Sequence, residues 1–159
     1  MPYKNKTYVC LDYDSDNRYY NLMKAWKQSD NTNFNFFDAH EINNLMAYSS
    51  ETTIKAKLRE RLNNSKIFIL LVGDSTKYLY KYVRWEIEQA LKLNLPIIVV
   101  NINGNKECDN NLCPAIVKNE LALHIPFGSK SLEKALNVWD DVHYEHKKNG
   151  KTGPYNFTK

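Results

Sequence analysis

Glycine is too scarce in this chain, and too badly placed, to cradle a phosphate. Only 5 glycines occur in 159 residues, and the first strand runs into Asp12-Tyr13-Asp14 where a glycine-rich loop would have to stand. A Rossmann turn and a P-loop both need such a loop, so both are disfavoured. Cysteine is sparse as well, with 3 residues. Cys10 sits in an apolar strand and reads as a small core residue. Cys108 and Cys113 share a polar loop with 4 residues between them. A zinc site would ask for two further ligands at workable spacing, and none stands near in the sequence. His143 and His146 lie three apart and do not match His-Glu-x-x-His. No metal is expected on these grounds. An odd, low cysteine count points to a reducing compartment. The longest apolar strand, Ile67 to Val72, is far short of the roughly 20 residues that span a bilayer. No signal-peptide pattern is present. A cytoplasmic protein without membrane contact is the expectation. Net charge is only +4, and no lysine or arginine tract suggests nucleic acid. The pair Lys147 and Lys148 suits the negative end of a helix dipole.

What remains is a globular composition, 43% hydrophobic and 25% charged, enough for one domain with its own core. The whole chain, 1–159, reads as a single domain with a core over about 5–148 and a loosely held tail from 149. Strand and helix patterns alternate along it. Thr7 to Leu11 reads as the first strand. A helix follows with Tyr19, Leu22, Met23 and Trp26 at helical spacing. Phe34 to Phe37 reads as the second strand. A long loop, Asp38 to Ser50, leads to a helix carrying Ile54, Leu58 and Leu62, which Ser49 or Ser50 can cap. Lys66 to Val72 is apolar on both faces, the mark of a central parallel strand. Gly73-Asp74-Ser75-Thr76 ends it. Ile97 to Ile102 and Leu121 to Ile125 read as the last two strands. The final helix ends near His146, with Leu132, Ala135, Leu136, Trp139 and Val142 inward.

Five strands alternating with helices imply a parallel sheet with right-handed crossovers. The expected fold is flavodoxin-like, a three-layer α/β sandwich with strand order 2-1-3-4-5. Ligands in such sheets bind beyond the carboxyl ends of the strands, where the order reverses. That rule puts Asp12, Tyr13 and Asp14 beside Gly73, Asp74 and Ser75, with Asp38 and His40 at the flank. Asp12 and Asp14 have two open readings. They can bind a cation or a ribose hydroxyl, or they can cap the first helix.

The run Tyr82-Val83-Arg84-Trp85-Glu86-Ile87-Glu88-Gln89-Ala90 carries the sharpest signal. With Val83 at the centre of an apolar helix face, Leu79, Ile87, Ala90 and Leu91 fall within about 80° of it, and Glu86 at about 60°. Glu88, at about 140°, faces water. Trp85 falls opposite the apolar face, either as a partner surface or under a loop. Acid side chains are rarely buried unless paired or used. Glu86 is therefore either an ion-paired edge of the stripe or a site residue.

The order and spacing of these segments resemble the TIR-like domains of bacteria and archaea. The resemblance rests on the Asp-Tyr-Asp turn, Asp38-Ala39-His40 and Leu70-Leu71-Val72-Gly73-Asp74-Ser75-Thr76. It also rests on Trp85-Glu86-Ile87-Glu88-Gln89-Ala90 and Pro96-Ile97-Ile98. One branch of these short TIR relatives supplies the TIR protein of the Thoeris anti-phage system. The family pattern Trp-Cys-x-x-Glu aligns with Tyr82-Val83-Arg84-Trp85-Glu86. The aromatic and the cysteine differ and the glutamate stays. The resemblance implies that Glu86 is the catalytic residue of an NAD-cleaving enzyme and that Tyr82 lines its pocket. NAD is then the substrate, with no cofactor. The product would be ADP-ribose or, as in the Thoeris branch, a cyclic isomer that signals to a separate effector. A homo-oligomer and a phage-derived trigger are further implications. The loop Asp38–Ser50, with Ile42, Leu45, Met46 and Tyr48, is expected to gate activity. Two alternatives share the fold. A non-catalytic TIR adaptor would act by self-association and would have no need of Glu86. A receiver domain would need a lysine after the last strand, where Pro126-Phe127 stands.

Overall fold

Six consecutive apolar residues form β2 (Ile67–Val72), and all six are buried. Side chains alternate across a strand, so a strand buried throughout needs cover on both faces. Ile67, Ile69 and Leu71 join one apolar cluster, and Phe68, Leu70 and Val72 join the other. The structure, a computed structural model, describes residues 7–28 and 50–157. Around β2 lie β1 (Thr7–Cys10), β3 (Ile97–Asn101), β4 (Ala122–Pro126) and the two-residue β5 (Pro154–Tyr155). Among the described residues they make one sheet in the order β1-β2-β3-β4-β5, parallel throughout. Register is continuous across it: Val9 pairs with Ile69, Ile69 with Ile98 and Ile98 with Leu123.

Helices α1 (Tyr13–Gln28) and α5 (Ser129–Lys148) cover one face. Helices α2 (Glu51–Asn63), α3 (Trp85–Lys92) and the single turn α4 (Ala115–Lys118) cover the other. The architecture is α/β with helices on both faces of a parallel sheet, consistent with a flavodoxin-like fold. The Ser50 hydroxyl caps α2 by accepting the Thr53 amide at 3.2 Å. Helix α3 ends on Asn94, in the left-handed region at φ 56. Leu95 N–H then reaches back to the Ala90 carbonyl at 3.1 Å, a helix stop that Pro96 enforces. No helix among the described residues is long and apolar enough to cross a membrane.

The strand order differs from the expected 2-1-3-4-5. The four described strands expected as first, third, fourth and fifth stand side by side as β1 to β4. The segment expected as second, Phe34 to Phe37, lies outside the described residues. The fifth strand comes from the tail instead. Tyr155 stacks on His146 with centroids 4.7 Å apart and packs on Trp139 at 5.8 Å. Those rings hold the tail against β4, where Ala122 pairs with Pro154. The inner face of α1 is also rotated from expectation. Asp16, Tyr20 and Met23 are buried, whereas Leu22 is 47% exposed.

Candidate functional site

Glu86 enters the protein through an irregular helix. Residues Tyr80–Arg84 form a π-helical turn, closed by the Arg84 amide on the Leu79 carbonyl at 3.0 Å. A π turn inserts one residue into the helical ladder and re-aims the side chains of the next turn. Val83, Glu86, Ile87 and Ala90 are buried, as the apolar stripe requires. Glu86 is only 6% exposed. Its Oε2 accepts a 2.7 Å hydrogen bond from the Tyr8 hydroxyl, 78 residues away in sequence. The Cys10 thiol, next but one along β1 and so on the same face, also favours its ionised form. Burial raises the Glu86 pKa to about 7, and these two groups restrain that rise. Burial and the facing carboxylate push the Tyr8 hydroxyl and the Cys10 thiol well up, so both stay protonated. The carboxyl is thus desolvated, hydrogen-bonded by neutral groups and poised to change charge near neutral pH.

A second polar group gathers where β1 and β2 end. Asp12 precedes α1. Its Oδ1 accepts the Ser15 amide at 3.4 Å, and its Oδ2 accepts the Ser75 hydroxyl at 2.5 Å. Of the two readings of Asp12, the structure shows the cap of α1. Asp14 is exposed in the first turn of α1, where an acid suits the helix dipole. Asp16, which sequence reasoning passed over, lies deeper. It is 7% exposed, and its Oδ2 is buried without a hydrogen-bond partner among the described residues. Burial, then Asp12 and Asp74, raise its pKa. Gly73 makes room for it, since a Cβ there would sit 2.4 Å from an Asp16 carboxylate oxygen. The signal in the sequence was a lone glycine at a strand end opposite an acid one turn into a helix. Ser15, Asp16, Gly73, Asp74, Ser75 and Asn103 line part of a cavity of about 380 Å³ here.

The remaining site candidates divide. Tyr82 is half-buried against the apolar cluster that surrounds Glu86. Tyr13 packs on the opposite face of the sheet, with the α1/α5 cluster, because it opens α1. Asp38 and His40 lie outside the described residues, as do Leu45 and Met46. Trp85 is no bare partner surface. Lys55 and Arg59 of α2 lie over its ring at 5.2 and 5.3 Å. Glu88 pairs with Arg84 at 3.3 Å on the solvent side. His143 contacts the Asn94 carbonyl at 3.2 Å and His146 stacks on Tyr155, which accounts for both helix histidines.

The cysteine pair has a third neighbour that sequence spacing concealed. Sulfurs of Cys108 and Cys113 and a ring nitrogen of His124 lie within 4.8 Å of one another. Burial raises the Cys113 thiol pKa and lowers that of His124 to about 4, so these groups stand uncharged.

The chain has a counterpart among known families. The sequence model of the Thoeris protein ThsB TIR-like domain matches residues 8–107. That span takes in β1 from its second residue, α1, α2, β2, α3 and β3, and with them Glu86 and the Asp12–Ser75 pair. This chain belongs to the TIR-like domain family of the Thoeris protein ThsB.

Proposed function

We propose that this protein cleaves the nicotinamide–ribose bond of NAD and releases an ADP-ribose-derived signal, cyclic in form, in cytoplasmic anti-phage defence. Membership of the ThsB TIR-like family supports the setting. The observation that carries the chemistry is Glu86, a buried carboxyl with its pKa near 7 among neutral donors. As the glycosidic bond breaks, its electron pair goes to the nicotinamide nitrogen, which leaves as the neutral base. The ribose carbon is left oxocarbenium-like. The ionised Glu86 stabilises that cation, an interaction strengthened by exclusion from water. No general acid is required, because the leaving nitrogen starts as a cation. Attack by water gives ADP-ribose and one proton. Attack by another nucleophilic group of the same molecule gives a cyclic product, again with loss of one proton. Asp12, Asp16 and Ser75 are proposed to hold ribose hydroxyls, for which the partnerless Asp16 oxygen is a ready acceptor. Tyr82 is proposed to line the pocket.

Glu86 is nearly closed off from solvent, which suits a resting enzyme that opens on a phage-derived trigger, with self-association as the means of opening. The test incubates the purified protein with NAD, with and without infected-cell extract, and separates the products. Glu86→Gln should release nicotinamide at least about a hundredfold more slowly than wild type under triggering conditions. Equal rates in the two proteins, or no nicotinamide released under any trigger, would overturn the reading.

A further inference from the structure

The loop after β3 is built with more order than its polar composition suggests. The Asn101 amide group donates to the Asn105 and Glu107 carbonyls at 3.0 and 2.8 Å. Asp109 accepts from the Asn103 side chain at 2.9 Å and from the Asn111 and Leu112 amides at 2.9 and 3.0 Å. The Cys113 amide closes a helical turn on the Asp109 carbonyl at 2.9 Å. These bonds fold the chain so that Cys108 and Cys113 approach each other from the two ends of one turn. His124 comes to them from β4, on the same sheet face as Ala122.

The imidazole is what needs explaining. His124 is 0% exposed, and neither ring nitrogen has a hydrogen-bond partner among the described residues. A buried donor or acceptor left without a partner costs about 1–3 kcal/mol. His124 also lines a cavity of about 300 Å³ with Lys106, Pro126 and Phe157, which offers its ring no protein hydrogen bond. The groups that do converge on it are two sulfurs. A disulfide between Cys108 and Cys113 would leave the imidazole as it is. One bound ion would partner both sulfurs and one ring nitrogen at once.

We propose that Cys108, Cys113 and His124 form a zinc site. Two thiolates and an imidazole are a borderline-soft donor set, suited to Zn²⁺ and poorly suited to Mg²⁺ or Ca²⁺. In a tetrahedral site with Zn–S of about 2.3 Å and Zn–N of about 2.0 Å, ligand atoms stand roughly 3.5–3.8 Å apart. A cluster already within 4.8 Å needs only side-chain adjustment to reach that. Binding displaces one proton from each thiol, and both leave to solvent. The fourth position is completed by a water on the side of Cys108, the half-exposed member. The site ties the β3–α4 loop to β4. The same loop supplies Asn110, Asn111 and Pro114 to the wall of a cavity of about 640 Å³ whose other wall is the π turn before Glu86. Zinc here would brace that wall. The site also lies past residue 107, where the family match stops.

The experiment uses the whole chain, stripped with chelator under reducing conditions and titrated with Co²⁺ alone. One equivalent should bind, with thiolate-to-cobalt charge-transfer absorption that Zn²⁺ then displaces. Cys108→Ser, at the half-exposed position and so least disruptive, should lower Zn²⁺ affinity about a hundredfold or more and weaken the absorption. His124→Gln should do the same, with circular dichroism to verify the fold. Cys10→Ser should leave the metal readouts unchanged. The proposal is overturned if the reduced, folded protein shows no charge-transfer band at equimolar Co²⁺. It is equally overturned if the band is undiminished in Cys108→Ser, or if a Cys108–Cys113 disulfide forms in a protein that, once reduced, takes up no metal.

Discussion

Two buried polar groups sit against the same face of the sheet, and they are built differently. At the β1 end, Glu86 lies against Tyr8, which donates to its carboxylate, and Cys10, which favours its ionised form. At the β4 end, His124 lies against Cys108 and Cys113, and its ring nitrogens have no hydrogen-bond partner among the described residues. The first group is complete within the protein and pays only for desolvation. The second is incomplete within the protein. A buried group that is satisfied yet holds its charge near neutral pH points to chemistry. A buried group that is unsatisfied points to a missing binding partner. The contrast separates a candidate reaction site from a candidate metal site without appeal to either residue type alone.

The strongest way to test the first half of that contrast is to remove the charge and keep the shape. Glu86→Gln leaves an oxygen to accept from Tyr8. The wild-type carboxyl has a folded pKa raised from the ordinary 4.5 to about 7. A raised folded pKa means the protonated form is favoured in the fold. The associated stability is therefore fully present below about pH 4.5 and is lost as pH rises through 7. At about 1.4 kcal/mol per pKa unit, the loss reaches up to about 3 kcal/mol. Thermal melts of wild type and Glu86→Gln should thus run close together near pH 5. By pH 8.5 the variant should be the more stable protein. A constant difference across that range would mean that Glu86 is not desolvated as described. The same variant is expected to lose activity, so a gain in stability with a loss of function would mark the residue as one retained for use.

A smaller effect is expected where the two strand ends meet. Gly73→Ala places a Cβ against the Asp16 carboxylate, at 2.4 Å before any relaxation. Overpacking of this kind costs about 1–3 kcal/mol. The double variant Gly73→Ala with Asp16→Ala removes the obstructing atoms and should recover most of the loss in a urea melt. Equal destabilisation in single and double variants would show that Gly73 is required for its backbone and that the close approach of Asp16 is incidental.

The sheet was legible because its signals are local. Ile67 to Val72 is apolar at every position, and only a strand covered on both faces tolerates that. The inward turn of Glu86 was legible too, since helical spacing alone places it beside Val83 and Ile87. The partner of the glutamate was not, because Tyr8 lies 78 residues away. His124 was hidden for a related reason. It occupies one position of an alternating strand and reads as an inward polar residue until β4 is laid beside the β3–α4 loop. The tail misled because Pro154 and Tyr155 carry no strand pattern of their own. They pair with β4 where His146 and Trp139 offer rings for Tyr155 to pack against. Asp16 was missed because its burial depends on the absence of a side chain at Gly73, and an absence has no periodicity.

The smallest effect sharpens the comparison by its silence. Glu88 stands two residues from Glu86 on the same helix, yet its side chain is 40% exposed and bridges to Arg84 at 3.3 Å. Exposed i,i+4 pairs contribute about 0.3–0.5 kcal/mol. Glu88→Gln should therefore change the melting profile within about 0.5 kcal/mol, equally at pH 5 and pH 8.5. It should leave NAD turnover intact. The two variants carry the same chemical change on opposite sides of one helix, so the pair isolates position from charge. If Glu88→Gln slowed nicotinamide release as much as Glu86→Gln, the acidity of the helix as a whole would be at work, and burial of one carboxyl beside Tyr8 would no longer explain the site.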